Sequence, residues 1–146
     1  MNALTQAIFN QLSGDSALAA MLASYAGGPA IFSSDPVPLD AALPYVCWSG
    51  AIHDAPFGGK AENATGREIR LDIRIYAQGT LEADGSSSSS KAIDDIAERV
   101  RALLHDVPLT VAGYTNIIAQ CMAGPLRIPT DPRFQGRAIT FAYFLT

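Results

Sequence analysis

The sequence predicts an α+β fold: an antiparallel or mixed sheet of about four strands with helices packed on one face. Three observations carry this. The segment Arg67–Ala77, REIRLDIRIYA, places Ile69, Leu71, Ile73 and Ile75 in strict alternation with Glu68, Arg70, Asp72, Arg74 and Tyr76, the period of a strand with one buried face. The chain closes on a second alternating run, Arg137–Leu145, with Ile139, Phe141, Tyr143 and Leu145 on one side and Ala138, Thr140, Ala142 and Phe144 on the other. Between them Ile93, Ile96, Ala97, Val100, Leu103 and Leu104 form a helical stripe over Lys91–His105. Hairpins that bracket one crossover helix leave a single layer of helices over a sheet.

The other elements follow in order. Leu4, Ile8 and Leu12 repeat every fourth residue and predict a first helix over 2–12. Gly14 stops it, and Ser13 or Asp15 can cap a second, in which Leu18, Met21, Leu22 and Tyr25 share a face until Ala26-Gly27-Gly28-Pro29. Three prolines in residues 33–44 exclude a regular element there. Tyr45–Ile52 is apolar on both sides and reads as an internal strand. Asp54–Gly66, with three glycines and one proline, reads as a long hairpin tip, and loops of that length usually carry a contact. Gln78–Ser90 ends in five serines, a linker that offers cap hydroxyls to the helix at Lys91. In that helix Asp94 and Asp95 occupy the first turn, and Asp95 stands four residues before Arg99, the spacing of an ion pair. Leu109–Val111 predicts a short strand before a turn at Gly113. Thr115–Ile128 predicts a strand kinked at Gly124-Pro125, and Pro129–Gly136 a loop. The 146 residues make one domain, 1–146.

Composition narrows the function. Half the residues are apolar, 16% are charged and the net charge is −4, which excludes a disordered chain and a basic nucleic-acid binder. Charge is uneven. Residues 1–66 hold Lys60 against five carboxylates, whereas residues 107–146 hold Arg127, Arg133 and Arg137 against Asp131 alone. Such polarity suits head-to-tail assembly. No run is long enough to span a membrane and no signal sequence is visible, so folding in the cytoplasm is expected. Cys47 and Cys121 lie in apolar runs and read as two buried thiols in neighbouring strands.

No catalytic or metal site is predicted, and no cofactor. His53 and His105 lack partners at metal spacing. Gly58-Gly59-Lys60 lacks the first glycine and the hydroxyl residue of a phosphate loop, and Ser86–Ser90 has no nucleophile elbow around it. What remains is the charged face of Arg67–Ala77. Burying unpaired charge under a helix is costly, so Arg70, Asp72 and Arg74 must face water, a neighbouring subunit or a wet channel.

The order and spacing of SGDSALAAML, LPYVCW, REIRLDIRIYA, AIDDIAERVRALLHD and TDPRFQGRAITFAYFLT resemble the tail-terminator (tail-completion) proteins of long-tailed bacteriophages and related tail-like particles. The Asp54–Gly66 hairpin and the polyserine linker depart from that pattern. The resemblance implies a virion structural protein of the head–tail junction. It implies a ring, usually a hexamer, that caps the tail tube, ends its growth and joins it to the head connector and neck proteins. DNA would pass through without specific binding, no membrane would be involved, and assembly would take place in the host cytoplasm. Arg70, Asp72, Arg74, Phe57, Lys60, Arg127, Arg133 and Arg137 are the expected subunit, tube or channel contacts. The alternatives are a neck or minor tail protein or, in another class, a small intracellular enzyme or binding domain.

Overall fold

A computed structural model describes residues 2–34, 36–57, 66–79, 90–115, 117–131 and 133–146. The chain opens with helices α1 (Asn2–Ser13) and α2 (Ser16–Met21). Three two-residue strands follow, β1 (Ser24–Tyr25), β2 (Gly28–Pro29) and β3 (Ile31–Phe32). Then come β4 (Tyr45–Cys47), β5 (His53–Phe57), β6 (Gly66–Gln78), helix α3 (Lys91–Leu104), β7 (Ile117–Ile128) and β8 (Phe134–Leu145).

β6 is the axis of the sheet. Its alternation holds over the whole strand, with Ile69, Leu71, Ile73 and Ile75 buried. It pairs antiparallel with β8 along its full length, from Arg67 opposite Leu145 to Gln78 opposite Phe134. β7 adds to the far side of β8. On its other side β6 pairs with β4 at its C-terminal end and with β5 at its N-terminal end. β3 lies parallel to β4. The order is β3-β4-β6-β8-β7 with β5 beside β6, so the sheet is mixed, and the described residues give it six strands where about four are predicted.

All three helices cover one face. Ile93, Ile96, Ala97, Val100 and Leu104 of α3 are buried over Ile69–Ile75 and over Ile139, Phe141, Tyr143 and Leu145 of β8. Leu4, Ile8, Leu12 and Leu18 complete the same core. Asp15 fastens α2 to α3. Its carboxylate caps α2 through the Leu18 N–H at 2.8 Å and also accepts from Arg99 Nε at 2.9 Å.

Several expectations are corrected. The strand over Tyr45–Ile52 is shorter than predicted: the ladder ends at Cys47, Trp48 still donates its N–H to the Phe32 carbonyl at 3.0 Å and enters the core beside Val46, the chain bends at Gly50, and Ile52 is exposed. The hairpin tip is shorter than predicted, because His53–Phe57 pairs with Gly66–Arg70. Pro56 suits a strand at the margin, where a missing N–H is cheap. Residues 58–65, including Lys60, and residues 80–89 of the serine linker lie outside the described residues. α2 ends at Met21, so Tyr25 leaves its stripe and joins a hairpin with β2. Ala26 and Gly27 both have positive φ there, as a two-residue hairpin turn requires. Arg99 binds Asp15 and Asp95 binds Lys91, in place of an Asp95–Arg99 pair. Ser90 stands at the start of α3 without a side-chain cap. Leu109 and Val111 are buried without forming a strand. Cys47 and Cys121 are not neighbours, since β6 and β8 separate their strands, and Cys121 is only half-buried.

β7 does bend where Gly124-Pro125 predicts it. The register with β8 shifts between Cys121 and Ala123 and again between Ala123 and Leu126. Gly124 has φ +98, and a Cβ there would collide with the Ala138 carbonyl.

Candidate assembly surfaces

Pairing opposite residues across β6, β8 and β7 lays out the sheet's second face, the one without helices. β6 contributes Glu68, Arg70, Asp72, Arg74 and Tyr76, and directly across on β8 stand Phe144, Ala142, Thr140, Ala138 and Gly136. The next row on β7 holds Ile118 opposite Phe144, Gln120 opposite Ala142 and Leu126 opposite Ala138. The face is therefore striped: charged on β6, mostly small on β8, largely apolar on β7.

The charged stripe is partly neutralised within itself. Arg70 Nε donates to Glu68 Oε1 at 2.8 Å, and Thr140 Oγ1 donates to Asp72 Oδ1 at 2.6 Å. His53 Nε2 stands 4.0 Å from Glu68 Oε2. These contacts join neighbouring side chains of the same face and so order them. At the end of the sheet Arg67 grips Asp54 with two guanidinium nitrogens. The Asp54 carboxylate, with help from Tyr114, holds the Arg67 guanidinium above its usual range.

The other end of this face is roofed. Residues 36–44 fold back over β3 and β4, and Val37 and Ala41 pack with Ala30, Phe32, Cys47, Tyr45 and Tyr76 in a second, smaller cluster. Tyr25, Phe32, Tyr45 and Tyr76 run through it as successive ring contacts of 5.0, 6.0 and 5.6 Å. Tyr25 Oη donates to Asp40 Oδ1 at 3.0 Å, a bond that raises the phenol's pKa. An open groove of about 690 Å³ lies between this arm and the sheet, lined by Val37, Leu43, Tyr45, Tyr76 and Phe134 among others. Its described lining contains no carboxylate, imidazole or basic side chain.

The three arginines expected to cluster near the last loop separate. Arg137 sits opposite Ile75, on the helix-covered face, with its side chain 13% exposed and its Nε donating to Asp94 Oδ1 at 2.8 Å. Arg133 folds onto Asp131 of its own loop, Nε to Oδ1 at 3.1 Å, and holds that carboxyl below the usual range. Arg127 is exposed on β7 opposite Arg137. Phe57 is the last residue of β5. The structure thus brings Arg70, Asp72 and Arg74 onto one open face and disperses Arg127, Arg133 and Arg137.

Sequence reasoning missed the exposed apolar groups. Leu39 is fully exposed on the 36–44 arm, and Ile118, Met122 and Leu126 are each half or more exposed along β7. The signal was available at Leu39, an aliphatic residue beside Pro38 in a segment with no periodicity. It was hidden on β7, where bulges shift the alternation. The histidines hold structural positions. His105 Nδ1 accepts the Cys121 N–H at 2.9 Å, and Asp106 N–H donates to the Ala119 carbonyl at 2.9 Å. Both bonds fasten the turn after α3 to the outer edge of β7. Among the described residues no three His, Cys, Asp or Glu side chains gather as a metal site, and no helix is long and apolar enough to cross a membrane.

The profile of the family described as tail completion protein gp17 matches residues 6–124. The chain belongs to that family. The match runs from within α1 through most of β7 and includes the charged strand and the arm. The chain also shares its fold with a chain from the virion of a native gene transfer agent particle. The two are 18% identical with a TM-score of 0.74, over 99% of this chain and 95% of that one. No curated protein matches. The tail-completion protein is accordingly a structural component of the virion, in its tail.

Proposed function

We propose that the protein assembles as a ring of identical subunits on the head-proximal end of the tail tube, stops the tube's growth there and presents a surface to the head connector. The observation that carries this reading is the uncovered face of the sheet. An isolated domain with one layer of helices could leave that face uniformly polar. Here it is divided into charged, small and apolar stripes, the mixture found where protein meets protein. The contacts of Arg70 with Glu68 and of Asp72 with Thr140 hold the charged stripe in a fixed arrangement before any partner arrives, which lowers the ordering cost of association. The net charge of −4 per chain multiplies around a ring, and a negative channel lets DNA pass without adhering.

Electron microscopy of particles made with and without this protein tests the reading. Without it, tubes of irregular length and heads lacking tails are expected. Tails of regular length joined to heads in its absence would defeat the proposal.

A further inference from the structure

The geometry points to a binding site for one carboxylate of a partner polypeptide, set between Arg127 and Arg137 on the helix side of the sheet. The register puts these residues directly opposite each other on β7 and β8, and Arg137 in turn lies opposite Ile75, so both belong to the face that the helices cover. Like charges directly opposite across strands repel. The chain compensates only one of the two. Arg67, Arg70, Arg99, Arg133 and Arg137 each meet a carboxylate of their own chain, whereas Arg127 is exposed and has no ion pair among the described residues. A cavity of about 330 Å³ is lined by both arginines together with Ser90, Thr130, Phe134 and Gln135, and its described lining contains no carboxylate.

Donors are left over in this cavity. Arg137 is held still: its Nε donates to Asp94 Oδ1 at 2.8 Å and its Nη1 to the Gly136 carbonyl at 2.9 Å, so the N–H groups of Nη2 make no bond among the described residues. Gln135 and Thr130 donate to the carbonyls of Gln78 and Phe134 at 2.9 and 2.7 Å, which fixes the wall. Ser90 keeps its hydroxyl out of the α3 cap. A fixed guanidinium beside an uncompensated one is completed by an oxyanion that accepts from both and cancels their repulsion. A protein carboxylate is favoured over a DNA phosphate. DNA is held through many cationic contacts along a basic surface, whereas this cavity takes one group, on a chain of net charge −4 whose field repels a polyanion. The site does not require a ring, since any tail polypeptide that brings a carboxylate can fill it.

A carbodiimide joins an amine to a carboxylate only where the two touch. Tails assembled in cells from an Arg127→Lys chain, which keeps the charge, are therefore treated with it, beside tails of the native chain. The variant is expected to give a product heavier than the monomer that the native chain lacks, with mass spectrometry placing the new bond between position 127 and an Asp or Glu of another polypeptide. Tails of normal yield without that product would overturn the inference. Coupling within one subunit, for which the sequence offers Glu82 and Asp84 shortly before Ser90, would mean that the charge is satisfied internally and would overturn it too. The isolated native subunit gives a second reading that needs no assembly. Sodium acetate, against sodium chloride at equal ionic strength, should displace the side-chain Nε–H NMR signals of Arg127 and Arg137, and Arg127→Gln should abolish the displacement at Arg137. No displacement by acetate defeats the proposal, and displacement by a short DNA duplex but not by acetate would assign the site to nucleic acid instead.

Discussion

The two faces of the sheet are built from the same strands and obey opposite rules. On the helix side, Ile69, Leu71, Ile73, Ile75, Ile139, Phe141, Tyr143 and Leu145 are no more than 1% exposed, and at the margin Arg137 reaches Asp94. On the other side, charged and small residues lie side by side, the aromatic cluster under the arm covers one end, and apolar side chains of β7 stay in water. Because alternate residues of β6 serve different faces, each can be changed without touching the other. One side specifies the fold; the other is available to specify the neighbours.

The largest effect that would break this division comes from the helix side. Ile96→Ala is expected to destabilise the subunit by roughly 2–5 kcal/mol, the range for truncating a buried aliphatic chain, seen as a lower midpoint in chemical denaturation. An unchanged midpoint would mean that α3 does not seal the core.

Arg137→Ala should cost about 1–3 kcal/mol, since it removes a charge-assisted hydrogen bond from a largely buried guanidinium and leaves Asp94 without it. A loss in tail assembly with no loss in stability would instead assign Arg137 to an interface.

Asp15→Ala should cost roughly 1–2 kcal/mol through the lost cap of α2. The Arg99 guanidinium, aided by the Leu18 N–H and opposed by burial, holds the Asp15 carboxyl below its usual range. A depressed folded-state pKa stabilises above the unfolded value of about 4 and ceases to do so as pH falls through the folded one. The stability gap between the native chain and Asp15→Asn should therefore be widest near neutrality and narrow below about pH 4. A gap independent of pH would remove the charge from the explanation.

The smallest stability effect belongs to the open face. Arg70→Gln should change stability by no more than about 0.5 kcal/mol yet reduce the yield of joined particles. Equal yields would show that the charged stripe is merely solvated there. On the covered face, Tyr143→Phe sharpens the contrast in the other direction. The phenol is buried, burial pushes its pKa well up, and among the described residues it has no hydrogen-bond partner. Removing the hydroxyl should leave the thermal midpoint unchanged or raise it.

The elements legible in the sequence are those whose evidence is local. The alternation of β6 and β8 and the stripe of α3 each lie within a dozen or so residues, and the bulge in β7 was marked by Gly124-Pro125. What escaped depends on distant groups. The strand at Tyr45 stops after Cys47 although the apolar run continues to Trp48, which no neighbour in sequence announces. Arg99 chooses Asp15, 84 residues away, over Asp95 in its own helix. The cluster under the arm gathers Tyr25, Phe32, Val37, Tyr45 and Tyr76 from separate stretches. The charged surface residues were readable as a face because the period of two dictates it. The exposed leucine and the exposed apolar residues of β7 were not, because exposure is a property of the finished fold.

The turn after α3 has a consequence for the life of the unassembled subunit. By occupying the margin of β7 at Ala119 and Cys121, His105 and Asp106 deny it to any passing strand. The double bulge further spoils the edge as a template. A sheet so finished offers a passing strand fewer free backbone groups, so subunits can reach high concentration before they meet their partners with less tendency to knit into fibrils.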